Sequence, residues 1–278
     1  MDYVMCVTWT IAVLAGNLLA AAPASAPASA QSPTDKPGAT SIMAALDAPV
    51  VAEPAEAKTL EPGEYITEAG WGQLLLTKED GVLRFSLEST TGQSMCLLEG
   101  TIRGTQGSAE VETGSTGCKV QFSKTAEGVD VTTPTTAECK AMCGYNGSFE
   151  APYLRAKSGC DRAAIARTRA AFQQRYDRKD YKEALSVLSP VLTQCGQTLE
   201  WGEKGDMRND LALTQYKTAQ YAQCLKTLQD YAEDAALPDD AVTDRWPPVL
   251  ADRYLAIVRA ARTNIGLCKK GLAMRKKD

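Results

Sequence analysis

Histidine is absent from this chain of 278 residues. Because imidazole is the commonest general base and a common zinc ligand, this absence excludes Ser-His and Cys-His nucleophile pairs and histidine-bound zinc. The sequence also has no CxxC redox motif and no glycine-rich phosphate loop between a strand and a helix. We therefore expect a protein that is not an enzyme and that needs no cofactor or metal.

Paired carboxylates are the remaining simple route to catalysis, and one pair stands out. Glu110 and Glu112 lie two residues apart, so they share one face of a predicted strand, as the two acids of a glycosidase could. Ala109 and Val111 alternate with them, however, which is the pattern of any half-exposed strand. We interpret the two glutamates as part of the solvent-exposed face of that strand.

Cysteine usage indicates the compartment. After Cys6 in the leader, eight cysteines follow in two groups of four, the first at Cys96, Cys118, Cys139 and Cys143 and the second at Cys160, Cys195, Cys224 and Cys268. An even set in an exported chain predicts disulfides, because free thiols are oxidised outside the cytosol. A four-thiolate zinc site using Cys139 and Cys143 is the alternative, but the chain lacks two close CxxC pairs.

The first residues predict export. An apolar run over 4–22 is followed by Ala28-Ser29-Ala30, a small-x-small cleavage pattern, so residues 1–30 are interpreted as a signal peptide, with an uncleaved anchor as the alternative. Residues 31–62, rich in Pro, Ala and Ser, predict a disordered linker. No later segment is long and apolar enough to span a membrane, so we expect a periplasmic or secreted protein without stable membrane insertion after cleavage.

Residues 63–156 have the two-residue period of strands. Leu83, Phe85 and Leu87 alternate with polar residues, and Asp80-Gly81 before them supplies the turn of a hairpin. Further strands are predicted at 96–103, 109–113, 118–124, 129–132 and 148–153. About eight short strands at this spacing predict a small antiparallel β-barrel or sandwich.

Residues 157–278 change to a helical period and contain a repeat. The set Tyr176, Tyr181, Ala184, Leu185 and Leu188 recurs forty positions later as Tyr216, Tyr221, Cys224, Leu225 and Leu228. The motif Tyr-x-x-small-Leu-x-x-Leu resembles the second helix of a tetratricopeptide repeat. Two such units, a polar turn at 202–205 and a last helix over 249–268 predict an α-helical hairpin domain, and the fold class is therefore α+β.

Helical geometry narrows the disulfide pairing. Cys160 opens the first helix and Cys195 closes the second, so both lie at one end of an antiparallel hairpin. Cys224 and Cys268 are expected to meet by the same argument. In the barrel, Cys118 begins a strand and Cys139 follows its hairpin partner, which favours that pair and leaves Cys96 for Cys143.

Charge is unevenly divided between the two halves. Residues 61–155 hold 13 acidic and 7 basic residues, whereas residues 156–278 hold 16 acidic and 21 basic ones. An acidic barrel favours a cationic partner through its long-range field, although the two halves could instead attract each other. The basic C-terminal residues are interpreted as a solvated helix end, and no nucleic-acid partner is expected.

The barrel segment resembles the cysteine-bearing modules of bacterial envelope lysozyme inhibitors of the MliC and LprI type. The resemblance rests on the cysteine-glycine spacing of four segments, at 96–100, 118–122, 139–144 and 147–150. It implies a protein of the bacterial envelope that plugs the cleft of a cationic lysozyme-type hydrolase with a loop. The inhibitory loop of the MliC group has no match in this sequence.

Two aromatic residues near turns, Trp71 and Tyr145, are the candidate binding residues of such an inhibitor, because interface centres favour Trp and Tyr. Either could instead be a core residue. The competing hypothesis is an envelope scaffold or adaptor that binds a protein partner through the tetratricopeptide-like helices, since arrays of helix pairs present concave grooves.

Overall fold

Eight antiparallel strands close into a barrel in this computed structural model, which describes residues 59–109 and 117–275. The strands are β1 (Gly63–Thr67), β2 (Gly72–Glu79), β3 (Val82–Thr91), β4 (Ser94–Arg103), β5 (Gln106–Ala109), β6 (Lys119–Lys124), β7 (Gly128–Thr132) and β8 (Ala151–Arg155). Each strand pairs with the next, and β8 pairs with β1. The predicted signal peptide, most of the predicted linker and the pair Glu110 and Glu112 lie outside the described residues.

Alternation along the strands fills the barrel interior. Leu74 and Leu76 of β2 and Leu87 of β3 are buried, and the rings of Phe85 and Phe122 lie 5.2 Å apart inside the barrel. The buried Tyr153 hydroxyl donates to the carbonyl oxygen of Phe149 at 2.9 Å, and burial raises the pKa of this tyrosine. The apolar face predicted from the sequence is thus the lining of a closed barrel.

The predicted hairpin turn between β2 and β3 is confirmed. Asp80 and Gly81 have φ angles of 49° and 83°, the left-handed conformation that a two-residue type I′ turn requires. Glycine takes this conformation without a steric penalty and aspartate tolerates it, so the dipeptide fixes the register of the two strands.

Two residues just before β1 also contact the barrel. Leu60 is buried in the barrel core, and the Glu61 carboxylate accepts hydrogen bonds from Lys124 at 2.8 Å and from Arg155 at 2.7 Å. Lys124, and then Arg155, lower the pKa of Glu61. These contacts hold Leu60 and Glu61 against the barrel, although the sequence composition assigned both residues to the linker.

A short helix, α1 (Thr136–Cys143), lies between β7 and β8 and was not predicted. Disulfides join it to the barrel through Cys118 with Cys139 and Cys96 with Cys143. These are the two pairs that the strand order favoured. Both helix cysteines are buried, so the bonds hold α1 against the barrel core.

The second half is helical. Its helices are α2 (Arg162–Asp177), α3 (Tyr181–Gln194), α4 (Trp201–Lys217), α5 (Tyr221–Thr227), α6 (Asp239–Thr243) and α7 (Pro248–Arg275). Disulfides join Cys160 with Cys195 and Cys224 with Cys268, the same pairs that the helix order predicted. Among the described residues, none of the helices combines the length and the apolar character needed to cross a membrane.

The internal repeat is visible in the backbone. The turns after α2 and α4 each place one residue at positive φ, Lys179 at 65° and Ala219 at 58°. The next amide in each turn donates back five residues, from Asp180 to Arg175 and from Gln220 to Gln215. Both hairpins therefore close with the same helix C-terminal motif, forty residues apart.

The turn predicted at 202–205 is wrong, because these residues form the first turns of α4. The Glu200 carboxylate caps the helix by accepting from the amides of Gly202 at 2.8 Å and Glu203 at 3.0 Å. Gly205 faces α7, where an added Cβ would lie 2.7 Å from Ile257. The two glycines that suggested a turn sit in a helix, and one of them serves close packing.

Candidate functional site

The barrel and the helices belong to one compact unit and meet on the outer face of the barrel. Ile66 points outward from β1, yet only 3% of it is exposed. The Ala69 amide donates to the carbonyl oxygen of Gln197 at 2.8 Å, and the Arg162 amide donates to the Glu64 carboxylate at 3.0 Å. One backbone–backbone hydrogen bond and one bond from a backbone amide to a carboxylate therefore fix the barrel against the α3–α4 connection and α2.

Gly70 lies against the backbone of the α3–α4 connection. Its φ is 69°, and a Cβ added there would lie 2.5 Å from the Glu200 nitrogen and 2.5 Å from the Thr198 carbonyl oxygen. Only glycine fits this backbone conformation at this distance without strain. The residue after it, Trp71, is thereby positioned where the barrel faces the start of α4.

A cleft of about 680 Å³ opens beside this junction. Its lining residues come from both halves of the described chain, with β3 on one side and α2, α4 and α7 on the other. The side chains that bear on binding are Trp71, Glu88, Arg162, Trp201, Glu203 and Leu250. Its volume lies within the range of small-ligand pockets, and pockets of this kind form preferentially where two structural units meet.

Trp201 anchors the helical wall of the cleft. Its ring lies 5.0 Å from that of Trp246, which stacks on Tyr254 at 4.0 Å. Burial, followed by a hydrogen bond to Asp234, raises the pKa of Tyr254, so this ring stays neutral behind the wall. The aromatic cluster holds Trp201 in place and leaves it partly exposed to the cleft.

The ion pairs at the cleft are loose. Arg162 and Glu88 approach to 3.9 Å, and Arg169 and Glu203 approach to 3.7 Å. By contrast, Asp239 on α6 bonds Arg259 of α7 at 2.7 Å. Neither cleft pair is at hydrogen-bond distance, so both cleft carboxylates can accept other donors.

The structure separates the two predicted binding residues. Trp71 is half-buried and lines the cleft. Tyr145 is 89% exposed and follows α1, on a loop where Thr91 bonds the Asn146 carbonyl oxygen at 3.3 Å. Tyr145 is therefore not a core residue, and it is not among the described residues that line the cleft.

Sequence reasoning missed Glu88, Trp201 and Glu203. Glu88 was only one of the polar residues that alternate with Leu83, Phe85 and Leu87. Glu203 fell within the predicted turn at 202–205, and Trp201 was given no role. The adjacent apolar residues Tyr65 and Ile66 were the available signal, since one of them must face outward and needs a covering element.

The described residues offer no cluster suited to a metal ion. Within residues 59–109 and 117–275, no three His, Cys, Asp or Glu side chains lie close enough to hold one. In the same ranges every buried side-chain nitrogen and oxygen has a hydrogen-bond partner.

Comparisons with protein-family models, with curated proteins and with solved structures found no match. The resemblances to lysozyme inhibitors and to tetratricopeptide repeats therefore stay predictions, and the function is inferred from the geometry of the cleft.

Proposed function

We propose that this protein is a non-enzymatic binding protein of an oxidising compartment, periplasmic or secreted, and that it holds a segment of a protein partner in the cleft between barrel and helices. Four disulfides support the compartment, because such bonds persist mainly outside the reducing cytosol.

The observation that carries this proposal is the pair of tryptophans in the cleft. Trp71 from the barrel and Trp201 from α4 are both partly exposed in a concave site. Partly exposed tryptophans in concave sites are typical anchors of protein interfaces, because a large ring gains much contact area with little loss of conformational freedom.

The packing of the helical half is consistent with a tetratricopeptide-like adaptor. Ala184 and Cys224, the small residues of the repeated motif, are both fully buried. Tyr176 packs edge-on against Tyr181 at 5.3 Å, and Tyr216 packs against Tyr221 at 5.8 Å. Repeated hairpins of this kind present a concave surface to a partner.

Site-specific photo-crosslinking in the cell of origin tests the proposal. A photoreactive amino acid replaces Leu250 in the cleft, and a second strain carries it at the exposed Lys182 of α3. We expect protein adducts of discrete mass from position 250, reduced by Trp71→Leu. Equal adducts from both positions, or none from position 250, would contradict the proposal.

Inhibition of a lysozyme-type hydrolase is the second candidate, and one observation favours it. Tyr145 projects from a loop that the Cys96–Cys143 disulfide ties to β4, and Met95 of the same strand is 52% exposed. A rigid protruding aromatic residue suits insertion into a cleft of an enzyme.

A muramidase turnover assay separates the two candidates. Under the second, the protein lowers turnover in a dose-dependent manner, and Tyr145→Ala relieves the inhibition while Trp71→Leu does not. Unchanged turnover at every protein concentration would remove this candidate and leave cleft binding in place.

A further inference from the structure

We infer that the cleft selects a peptide segment with an arginine or lysine side chain, whose cation is received by the carboxylates of Glu88 and Glu203. This inference rests on the proposed function and names the chemistry of its partner.

Charge inside the cleft favours a cation. Among the described residues that line it, Glu88, Glu200 and Glu203 are acidic and Arg162 is basic. Glu200 is engaged at the start of α4, where its carboxylate caps the helix. Glu88 and Glu203 remain, each with a basic neighbour beyond hydrogen-bond distance. A guanidinium or ammonium group can replace these loose contacts with charge-assisted hydrogen bonds.

The two tryptophans of the cleft add a second attraction for the same group. Trp71 and Trp201 line the cleft together with the two carboxylates. A cation over the face of a tryptophan is attracted by the quadrupole of the ring, most strongly where water is excluded. Carboxylate and indole together therefore favour a basic side chain over a neutral one of the same shape.

The barrel surface next to the cleft indicates what flanks the cation. Glu88 is paired across β3 and β4 with Leu97, and Thr90, another lining residue, is paired with Met95. Leu97 is 56% exposed and Met95 is 52% exposed. These two exposed apolar side chains lie on the strand next to the one that lines the cleft, so we expect apolar residues beside the basic one in the bound segment.

The test uses two synthetic hexapeptide libraries that differ only at a fixed central residue, which is arginine in one and citrulline in the other. Citrulline keeps the shape of arginine and removes the charge. The full chain is labelled and its binding to each library is measured. We expect the arginine library to bind about tenfold better, and this preference to shrink as ionic strength rises from about 0.01 M to about 1 M.

Two variants tie the preference to the cleft. Glu88→Gln and Glu203→Gln are each expected to reduce arginine binding by about threefold without changing citrulline binding. Glu138→Gln, on the exposed face of α1, is the matched control and is expected to change neither.

The outcomes separate the two levels of the proposal. Equal binding of both libraries, abolished by Trp71→Leu, would overturn the selection of a cation and leave peptide binding in the cleft. Binding of neither library together with binding of a cell-wall glycan fragment would overturn both. Loss of the arginine preference in Glu138→Gln would also overturn the assignment to Glu88 and Glu203.

Discussion

Gly70 packs against the backbone of the α3–α4 connection, and its substitution tests the junction. Gly70→Ala places a Cβ against the backbone of Thr198 and Glu200 at positive φ. We expect the free energy of unfolding to fall by about 1–2 kcal/mol because of the backbone conformation. The clash should cause a further loss of about 1–3 kcal/mol.

Gly104→Ala is the matched control for this change. Gly104 has a φ of 66° and no atom within 4 Å of an added Cβ, so only the conformational penalty applies. Chemical denaturation measures both variants. Equal destabilisation would mean that the junction does not depend on the contact of Gly70.

Asp210 on α4 gives the chain a pH-dependent contribution to stability. Burial raises the pKa of its carboxyl group, Arg169 lowers it, and Asp206 raises it again. Because the folded state then binds the proton more tightly than the unfolded state, stability decreases as pH rises from the ordinary carboxyl pKa through the raised one.

Asp210→Asn removes this effect. We expect a higher Tm than the parent chain at neutral pH and little difference below the ordinary carboxyl pKa. Asp252→Asn, at an exposed position of α7, is the control and should leave Tm unchanged at both pH values. A lower Tm for Asp210→Asn at neutral pH would contradict the expected direction of this pH dependence.

At the scale of elements, the turns after α2 and α4 each hold one residue in a strained left-handed conformation that glycine would relieve. Ala219 has a φ of 58° at the end of α4, where glycine is the usual residue. We expect Ala219→Gly to stabilise the protein by about 0.5–1 kcal/mol, since relief of the left-handed conformation exceeds the added chain entropy.

Ala222→Gly is the paired control three residues later. Ala222 is exposed in the first turn of α5, where glycine relieves no left-handed conformation and is a poorer helix former than alanine, so it is expected to cost up to about 0.5–1 kcal/mol. The two substitutions are the same chemical change, and thermal unfolding should shift in opposite directions. A shift of the same sign would mean that the strain at Ala219 is absent.

The two disulfides of the helical half join different helices. Removing Cys160–Cys195 or Cys224–Cys268 by paired Cys→Ser changes is expected to cost about 2–4 kcal/mol in each case. Only the first bond lies beside the α3–α4 connection that accepts from Ala69. Hydrogen exchange at the Ala69 amide should therefore increase in the first variant alone, and an equal increase in both would contradict this difference.

Much of this secondary structure was predictable, and the failures have physical reasons. Alternation around Leu83 and the Asp80-Gly81 turn were sufficient for β2 and β3, because period and turn chemistry are local. The helix α1 was missed because its stability rests on two disulfides. The first turns of α4 were missed because Gly202 and Gly205 have low helix propensity, which capping by Glu200 and packing on Ile257 overcome.

At the scale of the whole molecule, the cleft could not be predicted from the sequence. Composition separated an acidic barrel from a basic helical half, but it did not say which outer face of the barrel the helices cover. That depends on contacts across distant segments, such as Ala69 with Gln197 and Arg162 with Glu64. The sequence named Trp71 as a binding residue, but the second tryptophan of the cleft, Trp201, emerged only from the fold.

Hydrogen exchange of the full chain with and without its crosslink-identified partner tests the central claim most directly. We predict that protection on binding falls on the segments that border the cleft, at 68–72, 88–92 and 198–203. Protection confined to the Tyr145 loop at 144–148, with unchanged exchange at the cleft, would contradict cleft binding.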